Sequence, residues 1–205
     1  MKKALIFLIV AVFVGALLNA CASTKLTKTW VEKSFKGKTV SNVLVIGVAD
    51  EEPNRRLFER KFVQQLKAVG VEAFSSADII PIPADKRLEK EAIVQAVNKF
   101  KSDAVLITYV AGVNSTTTYK PAMYGVGVGY YGRYRYAYGH QLTPSRVSSH
   151  TKLCLETNLY DVASEKLIWS GQSQTRKAGS VKKLIDGVMK VVVKDMQKNK
   201  LLPKK

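Results

Sequence analysis

The sequence predicts an α/β fold built on a mixed sheet of about five strands. Three observations carry that expectation. Val43-Leu44-Val45-Ile46-Gly47-Val48 and Ala104 to Val113 are apolar runs rich in β-branched residues, the pattern of strands covered on both faces. Segments with helical spacing of apolar residues alternate with such runs, giving β-α-β-α-β and right-handed crossovers. Two alternating runs joined by a short polar link then read as an antiparallel hairpin, and a C-terminal helix follows.

Each element has its own signal. Asp50-Glu51-Glu52-Pro53-Asn54 reads as a helix start, with acids at the positive helix end and a proline in the first turn. Leu57, Phe58, Phe62, Leu66 and Val69 share one face of that helix, and Gly70 ends it. Val71 to Phe74 is a short second strand. Ser75 to Arg87 is a connection punctuated by Pro81 and Pro83. A second helix covers about Leu88 to Phe100, with Ile93, Ala96, Val97 and Phe100 at helical spacing. In the hairpin, Ser149 to Asp161 places Leu153, Leu155, Thr157 and Leu159 on one face. Cys154, Glu156, Asn158 and Tyr160 fall on the other, and Lys166 to Thr175 returns. Ser180 caps a last helix to about Asn199, whose buried face is Val181, Leu184, Ile185, Val188, Val191 and Val192.

The N-terminus is of another kind. Lys2 and Lys3 precede Ala4 to Leu18, an uncharged run of 15 residues. That length fits the roughly 7–15 residues of a signal core and falls short of the roughly 20 that span a bilayer. Leu18-Asn19-Ala20-Cys21 resembles the bacterial lipobox, with Asn19 departing from the usual small residue before the last position. The cysteine thiolate is the nucleophile that takes a diacylglyceryl group. Residues 1–20 therefore read as a lipoprotein signal peptide and Cys21 as the lipidation site. Residues 21–38 read as a tether whose Trp30 and Phe35 dock on the domain, and residues 39–202 as a single α/β domain. Ala22 follows the cysteine where an aspartate would hold an enteric lipoprotein in the inner membrane, which points to the outer membrane.

Composition narrows the function. The chain carries 33 Lys+Arg against 16 Asp+Glu, a formal net charge of +17 over 205 residues. Loss of residues 1–20 takes Lys2 and Lys3 with it, leaving 185 residues and +15. That balance favours anionic partners, and export excludes nucleic acid. Cys154 is the one cysteine left after Cys21, so no internal disulfide forms. No paired histidines suggest a metal site, and no cofactor is expected. After Val48 the first turn has no glycine loop and three acids, which would repel a phosphate.

Residues 119–140 differ from the rest. Seven tyrosines lie between Tyr119 and Tyr138, interleaved with glycines and with Arg133 and Arg135. The segment reads as a mobile excursion between strands, either a flexible loop or a hairpin that extends the sheet. Gly127, Gly129 and Gly132 match G-x-G-x-x-G, but no helix is expected to open there, so the match is set aside. Tyr124, Tyr130, Tyr131, Arg133, Tyr134, Arg135 and Tyr136 are the candidate binding residues, able to stack on sugar rings or meet lipid headgroups.

Several of these segments together resemble a family of small bacterial lipoproteins with a CsgG/TolB-N-like α/β domain. The residues that carry it are the lipobox, Val43 to Val48, Arg55-Arg56-Leu57-Phe58-Glu59, Gly70-Val71-Glu72-Ala73, Asp103-Ala104-Val105-Leu106, and Leu159-Tyr160-Asp161 through Leu167-Ile168-Trp169-Ser170-Gly171. The order of elements is similar to the curli-secretion lipoprotein, the TolB N-terminal domain and the lipoprotein activators of peptidoglycan synthases. This resemblance implies topology and brings no catalytic residues. The expectation is a lipid-anchored envelope protein facing the periplasm, with a non-enzymatic binding or assembly role and an envelope protein as partner. The alternative is a module for peptidoglycan or another anionic polymer.

Overall fold

The computed structural model describes residues 23–35, 39–81, 87–113, 129–139, 152–176 and 179–204. Cys21 and Tyr124 lie outside them. Strands β1 (Ser23–Val31), β2 (Asn42–Val48), β3 (Glu72–Ser75), β4 (Ala104–Val113), β5 (Lys152–Asp161) and β6 (Leu167–Arg176) form one open sheet in the order β1-β6-β5-β4-β2-β3. Pairing is parallel between β2 and β3 and between β2 and β4, and antiparallel from β4 through β5 and β6 to β1. The helices are α1 (Glu52–Ala68), α2 (Ser76–Ile79), α3 (Lys90–Phe100), α4 (Tyr130–Gly139) and α5 (Val181–Lys198).

The fold is the mixed α/β sheet the sequence predicts, with one strand more. The polar stretch expected to be a tether is β1, which pairs along β6 from Ser23 opposite Arg176 to Val31 opposite Trp169. An edge strand needs only one covered face, and here that cover is modest. Leu26 packs on the core, while Lys25, Thr27, Lys28 and Thr29 are exposed. Lysines on such an edge oppose pairing with a second chain. Phe35 packs against the same core, as expected.

Two apolar layers sandwich the sheet. On one face Val43, Val45, Ala104, Leu106, Leu159 and Trp169 meet Phe58, Phe62 and Leu66 of α1 and Leu184, Val188, Val192 and Met196 of α5. On the other, Leu44, Ile46, Val105, Ile107 and Tyr109 meet Ile93 and Val97 of α3 and Tyr130, Tyr134 and Ala137 of α4. The double cover explains why β2 and β4 carry no polar alternation. Helix ends follow their sequence signals. Gly70 takes φ 84°, and Val71 N–H closes on Leu66 C=O at 3.1 Å. Ser180 Oγ accepts from Lys183 N–H at 3.2 Å. The connection after β3 holds the short α2, which proline punctuation did not disclose.

Helix α5 lies so close to β1 that a Cβ at Gly187 would overlap Thr24 Oγ1. Thr24 is itself held by Thr175 at 2.8 Å. Gly187→Val is expected to push β1 off α5, costing about 1–3 kcal/mol through overpacking. Amide exchange should then speed up across Ser23–Val31 and not across β4; unchanged exchange in β1 would contradict this packing.

Candidate functional site

Two places in the fold gather chemistry-bearing side chains. One is α4, built from the aromatic segment. The excursion expected there is a helix over Tyr130–Gly139. Tyr130, Tyr134 and Ala137 fall at i, i+4 and i+7 and are 5%, 3% and 0% exposed. Their burial against β2 and β4 overrides the weak helix propensity of glycine and tyrosine. A helix does open at the G-x-G-x-x-G stretch, correcting the reason given for setting that match aside. It still makes no phosphate cradle. A Cβ at Gly129 would overlap the Glu165 carboxylate, so an acid already sits at the positive end of α4.

The candidate binding residues separate into two groups. Tyr130, Arg133 and Tyr134 turn into the domain. Tyr134 Oη accepts from Leu88 N–H at 2.7 Å. Burial pushes its phenol up to about 12, and burial with the Glu156 carboxylate pushes Tyr109 higher still. Both stay protonated near neutrality and serve as neutral hydrogen-bonding groups. Arg133 donates to Glu156 Oε1 at 3.1 Å, with 13% and 8% of the two side chains exposed. Its guanidinium also lies 5.0 Å from the Tyr136 ring centre and 5.8 Å from that of Tyr109. Arg133 is thus a tie between α4 and β5. Arg135 and Tyr136 remain on the outer side, with Tyr136 47% exposed, while Tyr131 is half-buried against the core layer and stacks on Tyr134 at 6.3 Å.

The second place lies on the opposite face, at the C-terminal ends of β2 and β4. The chain leaves β2 toward β3 on one side and returns as β4 on the other. The crevice there is the topological switch point, where open α/β sheets take ligands. It encloses about 130 Å³ between α1 and α5, walled by Val48, Phe58, Val110, Leu155, Leu184 and Ile185. Thr108 and Thr157 share a hydrogen bond of 3.0 Å on this face. Asp50, Glu51 and Asn54 stand at the rim.

Beside the crevice is a buried carboxylate that the sequence reading missed. Glu59 is 0% exposed. Its Oε1 accepts from Gly47 N–H at 2.8 Å, Arg55 Nε at 3.0 Å and Ser76 Oγ at 2.9 Å. Its Oε2 accepts from Ser75 Oγ at 2.8 Å and Ala77 N–H at 2.7 Å. Five donors saturate the two oxygens, so Glu59 locks α1 to β2, β3 and α2. Gly47 permits the approach, since a Cβ there would lie 3.1 Å from Phe58 Cδ1. The signal was present in the sequence. An acid stands inside the apolar stripe of Phe58, Phe62 and Leu66, four residues after an arginine.

Of the acids that open α1, Glu52 pairs with Arg55 and Arg56, and Glu51 accepts from Asn54 Nδ2. Cys154 is buried, with Gln174 Nε2 3.8 Å from its sulfur. Among the described residues no cluster of three His, Cys, Asp or Glu is placed to hold a metal ion.

No protein-family model and no curated protein matches the chain. Among solved structures it is similar to two PelC dodecamers from Paraburkholderia phytofirmans. One, a methionine-substituted form, has 12% identity and a TM-score of 0.47; the other has 11% and 0.44. Each match covers 89% of this chain and 99% of that one. Likeness at that level carries no argument about what the chain does.

Proposed function

We propose that the chain is an envelope lipoprotein, anchored through acylated Cys21 in the outer membrane, whose α/β domain faces the periplasm. It serves there by binding or assembly with an envelope protein, and not by catalysis. One observation carries the reading: Lys2, Lys3, the uncharged run Ala4 to Leu18, and a cysteine at the end of a lipobox-like tetrad. Two or three acyl chains on one cysteine make such an anchor effectively permanent, whereas a single chain binds marginally. The non-enzymatic part draws support from the buried ionisable groups, which have structural partners: Glu59 with Arg55, and Glu156 with Arg133.

The test is the mass of the N-terminal peptide from the membrane fraction. It should begin at Cys21 and carry diacylglycerol, and Cys21→Ser should remove both the lipid and the cleavage. A native protein without fatty acid would overturn the reading.

The outer side of α4 favours a second reading, an anionic or glycan polymer as ligand. Arg135 and the 47%-exposed Tyr136 form a surface on which a sugar ring can stack. Tyr136→Ala combined with Arg135→Ala should reduce binding to purified cell-wall sacculi several-fold in low salt. Undiminished binding would exclude this face.

A further inference from the structure

We propose that one end of the sheet, on the β1–β6–β5 side, is a docking surface for the anionic phospholipid bilayer that holds the anchor. The inference rests on the reading of Cys21 as acylated.

Register places the cations. Ser23, the first residue of β1, lies opposite Arg176, the last of β6, which lies opposite Lys152, the first of β5. Lys25 follows on β1, opposite Gln174. Helix α5 begins at the same end, with Lys182 and Lys183 in its first turn. All five basic side chains are exposed.

The anchor is close by. Ala22 alone separates Cys21 from Ser23, so the Cα atoms of Cys21 and Ser23 lie within about 7 Å. Strands are spaced about 4.8 Å apart, which puts Arg176 about 5 Å and Lys152 about 10 Å sideways from Ser23. Those distances are comparable to the screening length of about 8 Å at physiological salt. An anionic surface at Cys21 therefore acts on Lys25, Arg176 and Lys152.

One further fact points the same way. Lys182 and Lys183 stand at the positive end of α5, where a cation opposes the helix dipole. An anionic surface relieves that conflict. The far end is mixed, with Glu32, Asp103, Asp161 and Glu165 among Lys33, Lys101, Lys166, Lys198 and Lys200. At the near end, Asp50 and Glu51 follow β2, four strands from β1, and Asp186 pairs with Lys61. The near-end cations on the β1–β6–β5 side are the ones that a bilayer holding the N-terminus meets.

Footprinting of the acylated full-length protein tests this. The protein is reconstituted in vesicles of phosphatidylcholine alone or with about one-third phosphatidylglycerol, and lysines are acetylated with a water-soluble reagent. Lys25, Lys152, Lys182 and Lys183 should react at least about threefold more slowly on the anionic vesicles, with full recovery in high salt. Lys67 and Lys99, on α1 and α3, should react equally on both. In the triple variant Lys25→Glu, Arg176→Glu, Lys183→Glu, whose sites are exposed, the protection of Lys182 should vanish. Equal rates on the two vesicles, or protection that survives the triple variant, would overturn the docking. The mass of the N-terminal peptide from the same sample separates the two ideas. Lipid on Cys21 with no protection sinks the docking alone, and absence of the lipid sinks both.

Discussion

Glu59→Ala is expected to lower the unfolding free energy by about 3–5 kcal/mol, the usual consequence of removing one partner from a buried ion pair. The size follows from what is stranded. Arg55 is 5% exposed and keeps only a 3.5 Å contact to Glu52 and a hydrogen bond to Ser76. The Gly47 and Ala77 N–H groups and the Ser75 hydroxyl all lose their acceptor within the core. Glu59→Gln should recover only part of the loss, because its amide NH₂ would face donors. Denaturant titration measures all three proteins, with Glu51→Ala at the exposed rim as a control expected within about 0.5 kcal/mol of the parent. A shift below about 1 kcal/mol for Glu59→Ala would show that water replaces the carboxylate and that this network does not fasten α1.

Trp169→Ala should cost a similar amount, about 3–5 kcal/mol. The side chain is 0% exposed and is among the largest fully buried groups in the chain. Its Nε1–H donates to Asp195 Oδ1 at 2.9 Å, tying β6 to α5. Gly171 leaves room for the ring, since a Cβ there would overlap Trp169 Cη2. Two variants divide the effect. Trp169→Phe keeps most of the packing and loses the hydrogen bond, for about 1 kcal/mol, since Asp195 Oδ1 keeps the hydrogen bond from Asn199 Nδ2 at 2.9 Å. Gly171→Ala keeps every group and forces the ring to move, for about 1–3 kcal/mol. Thermal and chemical unfolding of the three should rank Trp169→Ala last in stability.

The central sheet was legible because its signals were strong and local. Val43 to Val48 and Ala104 to Val113 read as buried strands from their β-branched content, and Gly70 and Ser180 mark helix ends by their own chemistry. The two misread segments share a cause: tertiary contacts decide them. In β1 the lysines and threonines hide an inner face of Thr24 and Leu26, and the strand exists because β6 and α5 are present to receive it. In α4 the glycine content argued for an irregular chain, yet Tyr130, Tyr134 and Tyr138 recur every four residues. Weighing that spacing above composition would have found the helix. The same spacing separates the inward Tyr130 and Tyr134 from the outward Tyr136. Glu59 is marked only by its place in an apolar stripe after Arg55; its other donors come from β2, β3 and α2 and have no local signature. The switch-point crevice has no sequence signal of its own; it arises from strand order.

The strand that begins at Ser23 has a spatial consequence. A flexible tether over residues 21–38 would let a domain roam about 21–25 Å from its point of attachment. With Ser23–Val31 paired into the sheet, a lipid at Cys21 would grant almost no such reach. Molecules fixed this way meet one another by lateral diffusion in a shared orientation, and a binding partner in the aqueous space has to travel to the bilayer to be met.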